Sequence, residues 1–140
     1  VYDVREGTYR PSQQYHIDTV ETLRQLVRTG RYNQLIPYLL QADDPSARLI
    51  VEHVLHYIRF SYELIPTVVS EIRAVDHVMM SGFAWVAPST WVSLIASIDT
   101  LNKLFERYSI PITNDLLDRI QHQTPGLDIH RKGRRYFCCH

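Results

Sequence analysis

A short apolar helix that stops at a glycine and restarts at a proline lies in residues 71–95, and this segment constrains the fold most. Residues 78–80 are all apolar and supply about one helical turn before Gly82. Glycine lacks a Cβ and adopts the left-handed conformation that ends many helices. Pro88 has a fixed φ and suits the first position of the next helix. The segment therefore predicts a helix, a sharp corner and a second helix.

Four side chains near this corner are candidates for holding it together. Asp76 is predicted to open the first helix as its N-cap or first-turn anion, because free N–H groups favour a carboxylate there. Phe83 and Trp85 follow the glycine and are expected to bury their rings over the corner. Trp91 begins the apolar face of the second helix, which we expect to continue through Ile98.

Length and charge exclude several classes of protein. A chain of 140 residues with 45% hydrophobic residues suits one domain. Its 15 basic and 15 acidic residues balance, so we expect no nucleic-acid partner. No apolar run approaches the ~20 residues that cross a bilayer, so we expect no membrane partner. The two cysteines, Cys138 and Cys139, are adjacent and unsuited to a structural disulfide, which indicates a reducing, cytoplasmic location.

The pattern along the chain predicts a mainly α fold, a bundle of six to seven helices with short extended segments at both ends. We expect an extended arm or hairpin in residues 1–16, turning at Arg5-Glu6-Gly7. The helical core is predicted in residues 17–126, and a second small hairpin in residues 127–140. The strand-like phrase at Val1 favours a domain excised from a longer chain.

The first two helices are predicted from capping and proline signals. Asp18 and Glu21 are spaced as a capping box, and Gly30 is expected to end the helix that they open. A short apolar helix follows, and it tolerates Pro37 only if the proline lies in its first turn or at a break.

The longest helix is predicted to start at Asp44, an N-cap followed by Pro45 at the first helical position. Apolar residues continue at helical spacing to Ile72, but Pro66 lacks an N–H and predicts a kink or break near Leu64.

Two more helices complete the bundle. Asp99 is expected to cap the first, and Thr113 or Asn114 to open the second, which ends near Thr124.

The corner segment resembles the C-terminal helical module of the 3-hydroxyacyl-coenzyme A dehydrogenases. In that family an acidic residue, Gly-Phe-Gly-Trp and Gly-Pro-Phe follow one another. This chain departs from the pattern at Ala84, Ala87 and Ser89. The residues that match it are Asp76, Gly82, Phe83, Trp85 and Pro88.

Flanking phrases extend the resemblance over nearly the whole chain. The opening Asp3 and the Gly7 to Pro11 run resemble the start of the central helical domain in multidomain relatives. The closing Gly133 to Phe137 resembles the end of that domain, before an enoyl-CoA hydratase module in fused versions.

The resemblance implies the helical C-terminal or central domain of an NAD-dependent dehydrogenase of fatty-acid β-oxidation. Such a domain supports the positioning of acyl-CoA and packs against the dinucleotide-binding domain of the same polypeptide or, as a homodimer, against a second subunit. The residues that it makes candidates for this interface or for facing acyl-CoA are Asp76, Phe83, Trp85, Pro88 and Trp91.

The glycines exclude a dinucleotide site in this chain. They stand at positions 7, 30, 82, 126 and 133, so no Gly-x-Gly-x-x-Gly loop exists to approach a pyrophosphate. NAD is therefore expected in the parent enzyme and not on this chain. We predict no catalytic, cofactor-binding or metal residues here, and no turnover by the isolated chain.

Other polar clusters admit a functional and a structural interpretation. His53 and His56 could share a metal, but no further ligands follow at a recognisable spacing, which favours an exposed helix face. His77 beside Asp76 could mimic a general-base pair, but adjacent helical residues point in different directions. The aromatic rings of the corner could line an acyl-chain pocket, although core or interface packing is favoured.

The C-terminal residues offer two further candidates. Cys138, Cys139 and His140 could bind a soft metal, and a strand end is the favoured interpretation. Four cations could meet a coenzyme A phosphate, a partner domain or nucleic acid, and a solvated hairpin is favoured. They are Arg131, Lys132, Arg134 and Arg135.

Two functions of different class therefore remain. The first is the helical accessory domain of a 3-hydroxyacyl-CoA dehydrogenase. The alternative is an independent helical module that binds a protein partner without enzyme activity.

Overall fold

The chain is mainly α-helical in the computed structural model, which describes residues 2–11, 16–42, 44–95 and 97–124. This confirms the predicted fold class and the predicted number of helices within those residues. The elements are β1 (Tyr2–Asp3), β2 (Thr8–Tyr9), α1 (Asp18–Arg28), a 3₁₀ turn (Tyr32–Gln34), α2 (Leu35–Gln41), α3 (Pro45–Glu63), α4 (Ile72–Gly82), α5 (Pro88–Leu94), α6 (Ile98–Arg107) and α7 (Asn114–Gln123).

The N-terminal segment forms the predicted hairpin. Strands β1 and β2 pair antiparallel, with Tyr2 opposite Tyr9. Gly7 has a φ of +61°, which suits a residue without a Cβ in the turn. The Asp3 carboxylate pairs with Arg10 at 3.1 Å and fixes the base of the hairpin.

The longest helix begins and ends as predicted. The Asp44 carboxylate accepts hydrogen bonds from the N–H groups of Ser46 and Ala47, at 2.8 and 3.0 Å. It therefore satisfies two of the N–H groups that a helix start leaves unpaired. Helix α3 ends at Glu63, and a separate helix α4 starts at Ile72, so the proline segment between them causes a break.

The predicted capping box at α1 is wrong. Asp18 is the first residue of the helix, and the residue that precedes it, Ile17, has no side chain able to cap. The Glu21 carboxylate binds Arg24 at 2.6 Å instead of reaching back to the helix start. The carboxylates of Asp18 and Glu21 still lie at the positive end of the helix dipole.

The caps of the last two helices are hydroxyl groups. Ser97 caps α6 by accepting the N–H of Thr100 at 3.1 Å, so the prediction that Asp99 caps this helix is wrong by two residues. Ile98 opens α6 and does not continue α5. Thr113 caps α7 as predicted, accepting the N–H of Leu116 at 3.2 Å.

Two helices end in the same left-handed turn. Gly30 (φ +71°) follows α1 and Ser109 (φ +55°) follows α6. In each case the next N–H reaches back five residues, from Arg31 to Leu26 at 2.8 Å and from Ile110 to Phe105 at 2.9 Å. These are Schellman ends, and the predicted stop at Gly30 is confirmed.

Helix α3 lies at the centre of the bundle and packs against α1, α2, α4, α5 and α7. Arg119 of α7 donates hydrogen bonds to the carbonyls of Tyr62 and Ile65, so it satisfies acceptors left free at the end of α3. The Tyr62 hydroxyl bonds Thr124 at 2.8 Å. The fully buried apolar side chains of this core include Leu55, Ile58, Tyr62, Ile72, Leu101, Phe105 and Ile120.

None of the helices in the ranges given above combines the length and the apolar character needed to span a membrane. The predicted tail hairpin of residues 127–140 lies outside the described residues. The same holds for the basic cluster from Arg131 to Arg135 and for the cluster of Cys138, Cys139 and His140.

Candidate functional site

Asp76 holds the corner between α4 and α5, but not in the predicted way. Helix α4 begins at Ile72, so Asp76 lies in its second turn and the prediction of an N-cap is wrong. The buried carboxylate reaches the start of α5, where Oδ1 accepts the Ser89 N–H at 3.2 Å and Oδ2 accepts the Ser89 hydroxyl at 2.6 Å. Asp76 thus caps the neighbouring helix instead of its own.

Burial sets the protonation behaviour of this carboxyl group. Desolvation raises the pKa of Asp76, while the two bonds from Ser89 and the charge of Arg73 oppose that rise. Pro88 is the first residue of α5, as predicted, and is buried beside Ser89. The start of α5 is therefore held by a proline of fixed φ and by a carboxylate from α4.

The left-handed residue of the corner is Ala84, not Gly82. Gly82 has no positive φ, whereas Ala84 has a φ of +52°. The N–H of Trp85 then donates to the carbonyl of Met79 at 3.0 Å and closes the turn. A left-handed alanine costs about 1 kcal/mol because its Cβ crowds the carbonyl oxygen. The related pattern has glycine at this position.

The rings of Phe83 and Trp85 are not buried, so the prediction that they bury over the corner is wrong. Phe83 is 61% exposed and Trp85 is 48% exposed. The Trp85 ring meets Tyr57 edge-on, with ring centroids 5.8 Å apart, and His53 at 6.2 Å. The Phe83 ring tilts against Trp85 at 6.5 Å. Trp85 therefore joins the corner to α3 and leaves much of its ring at the surface.

A hydrogen bond strengthens the same junction. The Tyr57 hydroxyl of α3 donates to the carbonyl of Val86 at 3.0 Å, so the loop between α4 and α5 is tied to the central helix. Burial raises the pKa of this hydroxyl, and the nearby charge of Asp76 adds to the effect. Tyr57 therefore remains a neutral donor across the physiological pH range.

An apolar groove of about 600 Å³ lies between α3 and the corner. We call it the corner groove. Its lining contains no aspartate, glutamate, lysine or arginine, and its polar side-chain groups are one imidazole, one phenol and two indoles. Such a lining suits an apolar ligand or an apolar partner surface. The residues that line it are Leu49, Ile50, His53, Val54, Tyr57, Ala84, Trp85, Val86 and Trp91.

The predicted site residues therefore take different positions. Trp85 and Trp91 line the groove, and Asp76 and Pro88 fix the start of α5, the helix that carries Trp91. Phe83 packs on Trp85 outside the lining. The groove wall on α3 was not predicted from the sequence, although the spacing of Leu49, His53 and Tyr57 by four residues could have indicated it.

The other polar candidates within the described residues are the histidines of α3 and α4. Asp76 is buried while His77 is exposed, as expected for neighbours on a helix. His53 and His56 are both exposed on α3. Across the ranges that the structure describes, no three His, Cys, Asp or Glu side chains come together as a metal site would require.

A second, more polar cleft of about 500 Å³ lies where α2, the start of α3 and the end of α6 meet. Asp44 lies in it and accepts a 2.5 Å hydrogen bond from the hydroxyl of Thr19 on α1. That bond and the N–H groups of Ala47 and Ser46 lower the pKa of Asp44. Arg48 and Arg107 also line this cleft. The bonds of Asp44 fix α1 and α3, so we assign this cleft a structural role.

Comparisons with known proteins give no independent support for the resemblance of the corner segment. No family model, no curated protein and no solved structure matches this chain.

Proposed function

We propose that this chain is the helical C-terminal or central domain of an NAD-dependent 3-hydroxyacyl-CoA dehydrogenase. In this proposal it works in cytoplasmic fatty-acid β-oxidation, either as part of a dehydrogenase alone or fused to an enoyl-CoA hydratase. It positions acyl-CoA and packs against the dinucleotide-binding domain or a second subunit. NAD and the catalytic groups belong to the other domain.

The roles of the matching residues support this proposal. Asp76 and Pro88 fix the start of α5, and Trp85 rests on α3. The left-handed backbone occurs at residue 84, where the related pattern has glycine. The pattern thus consists of residue types that this particular corner needs, which is a reason for a chain to keep them together.

The observation on which the proposal depends is the half-exposed Trp85 at the wall of an apolar groove. Transfer of an acyl chain out of water is favourable, by about 0.8 kcal/mol for each buried CH₂ group. The ring of Trp85 and the side chain of Leu49 offer apolar surface for that purpose, without a charged group that would need to be desolvated.

Tryptophan fluorescence tests the proposal directly. We expect a long-chain acyl-CoA to change the emission of Trp85 in a saturable manner, whereas coenzyme A alone and NADH leave it unchanged. Trp85→Phe should remove most of the change and Trp91→Phe a smaller part, because Trp91 also lines the corner groove but is less exposed than Trp85. An unresponsive Trp85, or tight binding of NADH, would contradict the proposal.

The flanking coding sequence separates the two classes of function. The dehydrogenase proposal predicts a Gly-x-Gly-x-x-Gly fingerprint in the reading frame before Val1. The alternative, an independent helical module that binds a protein, predicts a start codon close to Val1 and a stop codon directly after His140. The exposed Leu49 and Phe60 on α3 favour a protein contact in either case.

A further inference from the structure

One end of the corner groove is closed by a contact between α3 and the corner loop. The Tyr57 hydroxyl donates to the carbonyl of Val86 at 3.0 Å. The rings of Tyr57 and Trp85 meet edge-on, with centroids 5.8 Å apart and planes at 77°. Rings at this distance are in van der Waals contact, so they leave no passage for a hydrocarbon chain, whose carbons need about 4 Å from each neighbouring carbon. We call these three residues the end bridge.

The opposite end of the groove is open to solvent. Leu49 lines the groove eight residues before Tyr57 on α3, and it is 67% exposed. Ile50 and the buried Val54 line the groove between these two ends. Eight residues of helix span about 12 Å, so the groove offers about that length of apolar wall along α3. A ligand therefore enters beside Leu49 and extends towards the end bridge.

The chemistry of the closed end decides which part of an acyl-CoA lies there. The Tyr57 hydroxyl already donates to Val86, and the end bridge otherwise presents aromatic carbon and an aliphatic side chain. A methyl group reaches this end without the desolvation of a charged group. Coenzyme A is large and anionic, so its end of the molecule stays in water beside Leu49. The methyl end of the acyl chain therefore faces the end bridge.

We propose that the end bridge limits the length of acyl chain that the corner groove buries, which makes Tyr57 and Trp85 specificity-determining residues for chain length. The inference rests on the proposed function and names the substrates that fill the groove, which are medium-length saturated acyl chains. A C–C bond of about 1.5 Å advances an extended chain by about 1.3 Å per carbon. A groove of about 12 Å therefore buries roughly nine carbons.

This arrangement gives a specific dependence of affinity on chain length. Each buried CH₂ group tightens binding about fourfold. Once the methyl end meets the end bridge, further carbons remain in water beside Leu49 and add nothing. Affinity should therefore rise with chain length and then stay constant. A groove open at both ends would continue to gain affinity, and one closed at both ends would reject longer chains.

A series of ligands tests the limit on the unmodified chain. Saturated acyl-CoAs from butanoyl to hexadecanoyl are titrated below their micelle-forming concentrations, and tryptophan emission reports binding. We expect the dissociation constant to fall about fourfold per added carbon up to roughly nine carbons and to remain constant beyond that length. A constant that falls through hexadecanoyl, or one that does not depend on length, overturns the inference.

Variants at the two ends of the groove locate the limit. Tyr57→Ala removes the ring and the hydrogen bond, so chains beyond the limit should gain about fourfold per added carbon. Tyr57→Phe keeps the ring against Trp85 and should leave the limit unchanged. Leu49→Ala should weaken long chains about fourfold and leave short chains unchanged, because only long chains reach the open end. Circular dichroism checks that each variant is folded.

The variants and the ligand series also separate the two proposals. A folded Tyr57→Ala chain with an unmoved limit overturns the role of the end bridge, and a Leu49→Ala chain that binds all lengths equally weakly overturns the direction of entry. A saturable response to acyl-CoA without a length limit contradicts this inference alone. A chain whose tryptophan emission responds to no acyl-CoA contradicts the dehydrogenase proposal itself.

Discussion

Two aspartates hold the starts of two helices, and their surroundings give them opposite properties. Asp44 caps its own helix α3 at a half-buried position and also accepts the hydroxyl of Thr19. Asp76 lies in the middle of α4, is buried, and caps α5 across the corner. The pKa of Asp44 is lowered, whereas that of Asp76 is raised. Hydrogen bonds dominate at Asp44, and desolvation dominates at Asp76.

A carboxylate cap can therefore stabilise or destabilise the folded state when it ionises. Ionisation of Asp44 is favoured by the fold, whereas ionisation of Asp76 is disfavoured. Asp44 keeps access to water and has several donors, so its charge is favourable. Asp76 has two hydrogen bonds from Ser89, which are insufficient to replace the hydration that it loses. Asp76 fixes the start of α5, which carries the groove residue Trp91, so the cap whose charge is unfavourable is the one that supports the candidate site.

Asp76→Ala should lower the free energy of unfolding more than any other substitution proposed here. This change leaves the N–H and hydroxyl of Ser89 without their buried acceptor and opens a space behind α5. We expect unfolding in urea to show a loss of about 2 kcal/mol. The Trp85 response to acyl-CoA should weaken with it, because α5 and the adjoining loop lose their fixed position. Unchanged stability would show that Asp76 does not anchor α5.

The matched variant Asp76→Asn separates charge from geometry. Its amide oxygen can accept the Ser89 N–H and its amide nitrogen can donate to the Ser89 hydroxyl, without a buried charge. In the parent chain the folded state binds the proton of Asp76 more tightly than the unfolded state. The stability from this group is therefore present below its unfolded pKa and lost as pH rises through the folded pKa. We expect Asp76→Asn to remove that loss in melting curves measured from about pH 4 to about pH 8.

Asp44→Ala should have a smaller effect, because Asp44 is half-buried and water can enter the space of its carboxylate to reach the N–H groups of Ser46 and Ala47. The sign of its pH dependence is opposite. Since the folded pKa of Asp44 is lowered, its stabilisation is present above the unfolded pKa and lost as pH falls through the folded pKa. Thr19→Val keeps the N-cap of Asp44 but removes the hydrogen bond that lowers its pKa most. The loss of stability on acidification should therefore begin at a higher pH. An unchanged acid transition in Thr19→Val would contradict the role of that hydroxyl.

The smallest expected change is an increase in the free energy of unfolding, from Ala84→Gly. Glycine removes the crowding of a left-handed alanine and should raise stability by about 1 kcal/mol. This corresponds to a rise of about 3 °C in the melting temperature for a chain of this length. The control is Gly82→Ala, which has an ordinary φ and open space around its new Cβ, so it should not destabilise. The reverse result would place the left-handed residue at Gly82, as the sequence predicted.

Sequence signals predicted the fold well where each signal acts within a few residues. The N-cap at Asp44, the proline starts of α3 and α5, and the stop at Gly30 were confirmed. The errors arose where several residues competed for one task. Ser97 and Asp99 are both good caps, and the backbone begins its helix after Ser97. At the corner, Gly82 and Ala84 were both candidates for the left-handed residue, and Ala84 takes that conformation. The next residue, Trp85, then contacts Tyr57 on α3.

The candidate site was predicted in part. Asp76, Phe83, Trp85, Pro88 and Trp91 were identified by their pattern, but five of the nine residues that line the groove belong to α3. The Tyr57 hydroxyl and its acceptor Val86 are 29 residues apart, and the Asp76 carboxylate and Ser89 are 13 apart. A pattern read along the chain does not show which distant residues will meet.

The sequence by itself determined the helical class, most helix ends and the aromatic corner, because caps, prolines and apolar spacing act on the adjacent backbone. The tertiary structure decided the exposure of Trp85, the wall that α3 adds to the groove and the direction in which the pKa of Asp76 moves. These properties depend on how much water reaches a group and on which helix packs beside it. Both follow only when distant segments come together.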